Sequence, residues 1–198
     1  LTTAQFAALT SGQFGAFSTT QIVAIQSTGL SAINAPTIST MSAISIESLT
    51  TSQVAALSSL QLSALNSAQI GAFETRDLSV LTTSAIHGIS SSSIQGLTTA
   101  QIVALTTAQA ATLTSMQLTG LSSAQLSAFE TRDLAALTTS AIRGISSSSI
   151  QGLTTAQIVA FTTSQVSAIT PLVLDLNGAG ISTVSMAEGT IFDLGRSE

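Results

Sequence analysis

The stretch LTTAQIVALTTAQAATLTSMQLTG, residues 97–120, holds three consecutive copies of an eight-residue pattern, called an octad below. Each copy begins with Leu-Thr and has Gln at position 5. Outward from this stretch, residues 1–168 divide into 21 octads without an insertion. Position 1 is Leu, Ile, Phe or Met and position 6 is apolar in every octad. The octad is therefore the structural unit, and positions 1 and 6 are the predicted core.

A longer duplication lies over this pattern. Residues 73–104 recur with few changes as residues 129–160, which is a shift of seven octads. A duplication in whole octads supports the same structural unit.

The octad predicts a short helix rather than part of a long one. Eight residues turn a continuous α-helix by about 800°, so its Leu residues would spread over every face. Within one octad, Thr or Ser at position 2 and Gln at position 5 form the capping-box pattern, and positions 1 and 6 have the spacing of a hydrophobic staple. Twelve octads have this Gln. Small residues at position 8 would then close the turn, and some of them are glycines that could supply a positive φ. These glycines are Gly88, Gly96, Gly144 and Gly152.

The predicted fold class is mainly α, a solenoid of very short capped helices over residues 1–168. Helices of one or two turns do not survive alone in water, so neighbours must stack their core positions into one spine. A β-solenoid is the alternative, because Thr, Ile and Val are abundant. Against it, positions 1 and 6 have opposite parity, which does not place them on one face of a strand.

Two groups of octads depart from the pattern. Octads 4 to 6, residues 25–48, have no Gln at position 5 and contain Gly29 and Pro36. This predicts a local irregularity. The octads at 73–80 and 129–136 carry acids at positions 2 and 5 with an Arg between them, and we interpret them as capping variants with a counter-charge. Their charged residues are Glu74, Arg76 and Asp77, and Glu130, Arg132 and Asp133.

The composition excludes several functions. Only 7% of residues are charged and the net charge is -5, which argues against nucleic acid as a partner. Ser and Thr interrupt every apolar run, so no membrane span is expected. His87 is the only histidine, Cys is absent, and the recurrent hydroxyls serve capping, so we expect no enzyme activity and no cofactor.

The octads stop before residue 169, and residues 169–198 predict a small β-meander. Their apolar stretches, such as Leu172–Leu176, are separated by Asn-Gly and Glu-Gly, which are typical of turns.

This second segment, through PLVLDLNGAGI and the later FDL, resembles part of the secreted RTX (repeats-in-toxin) and related haemolysin-type proteins. The resemblance implies a large protein that is exported by type I secretion, and a truncated Asp/Gly-rich region that binds calcium. Asp175 and Asn177 match the first two oxygen ligands of that region, and Asp193 matches the start of its second loop. Ala179 stands where a third acid is expected, so this segment offers one oxygen ligand fewer than the pattern of the family.

We therefore expect a non-catalytic structural or adhesive segment, a rod or spacer, in a large bacterial RTX-like protein that is exported to the cell surface or secreted. Its partners would be the flanking regions of the same protein. The alternative is a ligand-binding solenoid that uses regular rows of Ser and Thr to bind ice or a polysaccharide.

Overall fold

In the computed structural model, backbone structure is described for residues 1–174 and side chains for residues 1–169. Most octads in this range form one α-helix of four to six residues, and no strand occurs in it. The prediction of many short helices is confirmed, and the alternative of a β-solenoid is wrong. Octad 12, residues 89–96, forms only a 3-10 turn at Ile94–Gly96. The α-helices are Thr3–Ala7, Ser11–Gly15, Thr19–Val23, Ser27–Ala32, Ala35–Ile38, Ala43–Glu47, Thr51–Ala55, Ser59–Ser63, Ser67–Gly71, Thr75–Leu78, Thr83–Gly88, Thr99–Val103, Thr107–Ala110, Ser115–Thr119, Ser123–Ser127, Thr131–Ala136, Thr139–Ile142, Ser147–Ile150, Thr155–Val159 and Thr163–Leu174.

Capping boxes explain where the helices begin. In octad 13, residues 97–104, the Thr98 hydroxyl accepts the Gln101 backbone N–H at 3.2 Å, and Gln101 Oε1 accepts the Thr98 N–H at 2.7 Å. The same reciprocal pair forms in all twelve octads with Gln at position 5. Two of the orphan amides of each helix are thereby satisfied within a single octad.

In the helices from Thr3–Ala7 to Thr155–Val159, the chain leaves the helix without a left-handed C-cap residue. Position 8 typically stays in the right-handed region, as Ala104 does with φ -79° and ψ -10°. The next position 1 donates its N–H to the position 6 carbonyl, as Leu105 does to Ile102 at 3.1 Å. The prediction of positive φ at the position 8 glycines is wrong, because this turn suits any L-residue.

Those glycines instead permit a close approach between two parts of the solenoid. A Cβ added to Gly152 would lie 2.9 Å from the Ser123 Cβ, and one added to Gly88 would lie 2.7 Å from the Ser59 Cα. In both pairs the serine belongs to the octad three places before that of the glycine.

Three octads make one turn of the solenoid. The main contacts join each helix to the helix three octads later, as between Ser59–Ser63 and Thr83–Gly88 and between Thr107–Ala110 and Thr131–Ala136. The 21 octads therefore make seven turns. The rod has three faces, called A for octads 1, 4, 7 and onward, B for octads 2, 5, 8 and onward, and C for octads 3, 6, 9 and onward.

Positions 1 and 6 form one continuous hydrophobic core along the rod, as predicted. In the interior turns their side chains are almost completely buried, as for Leu97 and Ile102. At the first turn the core is less covered, since Leu1 is 72% exposed and Leu9 and Phe17 are half-buried. Burial of position 1 therefore depends on having a preceding turn, whereas position 6 is buried in the first turn as well.

The irregular octads 4 to 6 keep their place in the stack. Asn34 and Ser42 cap their helices, whereas Gln26 makes no side-chain cap. Pro36 is the second residue of its helix, where its missing N–H would have no intrahelical partner. Contacts to the octads one turn later continue, so the predicted irregularity does not interrupt the stack.

The last helix, Thr163–Leu174, runs past the final octad. The predicted β structure is therefore wrong for residues 170–174. Pro171 lies inside this helix, although a proline usually ends or kinks a helix because it lacks the backbone N–H donor. The rest of the predicted β-meander lies outside the described residues.

Candidate functional site: position 5 and the acidic octads

Position 5 is a third buried position that the sequence analysis did not predict. Gln101 is only 2% exposed, although its side chain is fully polar. Its Nε2 donates to the Phe73 carbonyl at 2.6 Å and to the Gly71 carbonyl at 3.1 Å, both in the preceding turn. Because Oε1 caps its own helix, the buried amide has partners for both donors and for its acceptor.

The same bond recurs along the solenoid. Nine glutamines donate to a position 1 carbonyl 28 residues earlier, with N···O distances from 2.6 to 2.8 Å. Each also donates to a carbonyl 30 or 31 residues earlier. The nine residues are Gln53, Gln61, Gln69, Gln101, Gln109, Gln117, Gln125, Gln157 and Gln165.

Hydroxyl side chains replace Gln in some octads and keep part of this role. Thr37 donates to the Leu9 carbonyl at 3.1 Å, again 28 residues earlier. Ser93 and Ser149 donate to the equivalent carbonyls at 2.6 and 2.7 Å. Position 5 thus ties each turn to the preceding one.

The acidic octads use position 5 differently. Asp77 is buried and accepts a hydrogen bond from Thr51 Oγ1 at 2.6 Å, and Asp133 accepts the same bond from Thr107. Each threonine lies 26 residues earlier, so this bond also joins adjacent turns. The second carboxylate oxygen of Asp133 is buried and has no hydrogen-bond partner among the residues that the structure describes.

The interpretation of the glutamates as side-chain caps is wrong, whereas the predicted acids in the first helical turn, Asp77 and Asp133, and the predicted Arg counter-charges are confirmed. Glu74 and Glu130 occupy the N-cap position, but neither side chain accepts a bond from its helix. Arg76 pairs with Glu74, and Arg132 pairs with Glu130 at 2.6 Å. The longer Glu side chain is held by the Arg on the surface instead of folding back onto the backbone.

The two acidic octads lie on different faces. Octad 10, with Asp77, is on face A, whereas octad 17, with Asp133, is on face B. The reason is that seven octads equal two turns plus one octad, which rotates the second copy by a third of a turn. His87 and its counterpart Arg143 are likewise on faces B and C, and within the described residues the His87 side chain makes one hydrogen bond, between Nδ1 and the Thr112 carbonyl at 3.3 Å. The duplication therefore does not bring chemically equivalent residues together.

The hydroxyls of positions 2 and 3 line a shallow, open groove along one edge of the rod. Thr98 and Thr99, Ser122 and Ser123, and Ser146 come from three successive turns there. Thr98 and Ser122 are occupied as helix caps.

The calcium ligands that the RTX resemblance implies, Asp175, Asn177 and Asp193, lie outside the described residues and stay a prediction. Within the part of the chain that the structure describes, no group of three or more His, Cys, Asp or Glu side chains could hold a metal ion. The same part contains no helix long and apolar enough to span a membrane.

Comparison with known proteins concerns the repeat alone. No curated protein and no solved structure matches the chain. The six letters of the ALTTAQ repeat occur here as Ala104–Gln109, from position 8 of one octad through the capping box of the next. The family model of the ALTTAQ repeat matches residues 70–107 and 126–163, so these two stretches, seven octads apart, are similar to that family.

Proposed function

We propose that this chain is a non-catalytic structural or adhesive segment, a rod or spacer within a large exported RTX-like surface or secreted protein. The observation that carries this proposal is the internal use of its polar side chains. Position 2 caps the helices and position 5 ties the turns together. Little of the repeated chemistry is left to face a substrate.

The dimensions of the stack suit a spacer. Packed helices lie about 8–10 Å apart, so the seven turns form a rod of about 60 Å. Addition or loss of whole octads changes this length without a new fold, as in other repeat proteins.

The duplication also supports a spacer over a ligand-binding face. A face with a fixed pattern of side chains would be preserved by duplication of three octads or a multiple of three. The observed shift of seven octads instead moves the repeated side chains to another face.

Export and calcium binding rest on the PLVLDLNGAGI resemblance. In this proposal the flanking regions of the parent protein are the partners of the rod, outside a bacterial cell. Asp175, Asn177 and Asp193 would take calcium as part of a larger Asp/Gly-rich region.

Small-angle X-ray scattering tests the spacer role. Deletion of residues 97–120 removes one turn and should shorten the maximum dimension by about 8–10 Å, the spacing of packed helices. Deletion of residues 97–104 alone is the matched control, and it should shorten the rod by about a third of that amount while rotating every later face. An unchanged maximum dimension after removal of the full turn would contradict a rod.

Calorimetric titration with calcium tests the RTX-like part of the proposal. The full chain should bind calcium, and the double variant Asp175→Asn/Asp193→Asn should lose binding. Glu47→Gln/Glu74→Gln removes the same charge elsewhere and should not affect it. Absence of calcium binding in the unaltered chain would remove this part of the proposal.

A polysaccharide-binding solenoid is the second candidate, favoured by the hydroxyl-lined groove. Glycan-array binding that is lost in Thr99→Val/Ser123→Ala and kept in Thr19→Val/Ser67→Ala would support it. Glycan-array signals at background would contradict polysaccharide binding, and absence of thermal hysteresis would contradict ice binding. The spacer proposal would then stand alone.

A further inference from the structure

Two contacts between interior turns of the solenoid lack glutamine. Plane 1 is the contact between residues 49–72 and 73–96, and plane 2 is the contact between residues 105–128 and 129–152. In both planes, all three octads of the later turn have another residue at position 5. These residues are Asp77, Ala85 and Ser93 in plane 1, and Asp133, Ala141 and Ser149 in plane 2.

The contact between residues 73–96 and 97–120 shows what glutamine supplies. Gln109 Nε2 donates to the Leu78 and Leu81 carbonyls, at 2.7 and 2.8 Å. Gln101 and Gln117 also donate to carbonyls of this preceding turn. Every octad of the later turn is therefore bonded to the turn before it.

Plane 1 has two side-chain hydrogen bonds among the described residues. They run from Thr51 to Asp77 and from Ser93 to the Leu65 carbonyl. The middle octad has Ala85 at position 5 and supplies no donor there.

Plane 2 repeats this arrangement. Thr107 donates to Asp133, and Ser149 donates to the Leu121 carbonyl. One further bond runs from Thr119 to the Gly144 carbonyl at 2.9 Å. Both planes therefore have fewer hydrogen bonds than the contact between them.

The missing glutamines also leave buried polar groups unpaired. The Leu57 and Leu113 carbonyls lie at the positions that Gln would bind from octads 11 and 18, and they accept no hydrogen bond in the described part of the chain. Both leucines are buried. In plane 2 the second oxygen of Asp133 is unpaired as well. An unpaired buried polar group weakens the contact that buries it.

Glycine closes the space that the missing side chains leave. Gly88 approaches Ser59, and Gly144 approaches Ser115, so closely that a Cβ would meet the serine backbone. Such contacts add dispersion attraction, which is small for each atom pair. They do not replace the hydrogen bonds of Gln.

The two planes lie 56 residues apart, because the duplication of residues 73–104 as residues 129–160 copies the turn that lacks Gln. Between them are the seven octads of residues 73–128. Four glutamines bond the turns of this stretch to each other. They are Gln101, Gln109, Gln117 and Gln125.

We propose that residues 73–128 form one cooperative block, and that under tension the rod opens at planes 1 and 2 before it opens inside the block. In a repeat protein the contacts between neighbours contribute separately to stability, so the contacts with the fewest bonds open first. The inference rests on the proposed spacer role, in which tension acts along the rod. A spacer of this kind lengthens in steps of one block.

Single-molecule force spectroscopy on the full chain, held at its two ends, measures the size of this unit. Unfolding of residues 73–128 in one step should add about 170 Å, from about 3.3–3.6 Å for each extended residue less about 8–10 Å for each folded turn. Unfolding of one turn at a time would add about 70 Å in each step and would overturn the proposal.

Gln109→Glu/Gln117→Glu creates a weak contact inside the block. It keeps both capping boxes but removes donors to residues 73–96, so the single step should divide into about 70 Å for residues 73–96 and about 100 Å for residues 97–128. Gln95→Glu/Gln151→Glu adds the same charge at exposed positions and should leave the step whole. A step that stays whole in Gln109→Glu/Gln117→Glu would overturn the role of these bonds.

Native-state hydrogen exchange tests the block in the unaltered chain. As the urea concentration rises, helical amides of residues 73–96 and 97–128 should converge on one opening free energy, whereas those of residues 129–152 should follow a second one. One common free energy for all of them, or a separate one for each turn, would overturn the block. The scattering test of the spacer measures the length of the folded rod, so the two proposals can fail separately.

Discussion

The first turn and an interior turn share one local sequence pattern but use it differently. Octad 1, LTTAQFAA, and octad 13, LTTAQIVA, both form a capping box between position 2 and position 5. Gln5 is nevertheless exposed, whereas Gln101 is buried and bonded to the Gly71 and Phe73 carbonyls. Capping is therefore a local property of the octad, whereas burial of its position 1 side chain and of its Gln depends on the turn before it.

The largest expected difference between these turns is at the apolar core. Ile102→Ala should lower the free energy of unfolding by about 2–5 kcal/mol, because it leaves a cavity in a fully covered core. Leu1→Ala should change it by less than about 0.5 kcal/mol, because Leu1 is largely exposed. Urea denaturation followed by circular dichroism measures both.

The position of the damage tests the three-octad turn. Hydrogen exchange in Ile102→Ala should quicken at residues 73–80 and 121–128, which pack against octad 13 from the adjacent turns. Faster exchange only in the octads next in sequence would contradict this stacking.

The second difference concerns Gln at position 5. Gln101→Glu retains the acceptor of the capping box but places a buried carboxylate against two carbonyls, so it should destabilise the fold by at least about 1–3 kcal/mol. Gln5→Glu should be almost neutral, because a capping box accepts Glu as well as Gln. Thermal unfolding of the two variants gives the comparison, and equal losses would mean that the bonds between turns contribute nothing.

The third difference concerns glycine. Gly144→Ala should destabilise the fold by about 1–3 kcal/mol through overpacking, because its new Cβ would meet the Ser115 backbone of the preceding turn. Gly12→Ala, in a first-turn helix with open space around it, should instead stabilise by about 0.5–1 kcal/mol. Denaturant midpoints of the two variants should therefore move in opposite directions, and a shift in the same direction would refute the close approach at Gly144.

The smallest difference should be at the cap. Thr98→Ala and Thr2→Ala should each cost about 0.5–2 kcal/mol, since the two hydroxyls make the same bond to position 5. The helical signal of each variant during urea unfolding measures this loss. A much larger effect at Thr98 would show that capping also depends on stacking.

The sequence also contained a signal for position 5 that capping alone does not explain. A capping box is satisfied by Glu or by Gln, yet the twelve boxes of this chain all use Gln. Only Gln has N–H donors besides its acceptor oxygen, and three of the nine replacements, Thr37, Ser93 and Ser149, also donate to the preceding turn. That preference indicates a second partner for the side chain, although it does not say where the partner lies.

By itself the sequence determined the octad register, the short capped helices and the apolar core at positions 1 and 6, because capping and side-chain periodicity act within a single octad. Only the tertiary structure decided that three octads make a turn, since the partners of Gln101 lie 28 and 30 residues earlier and nothing local specifies that distance. It also decided the role of the acids. Asp77 looks like a helix cap in sequence but is bound by Thr51 of the preceding turn. Stacking fixes these pairs because a buried polar group takes the partner that the neighbouring turn brings to it.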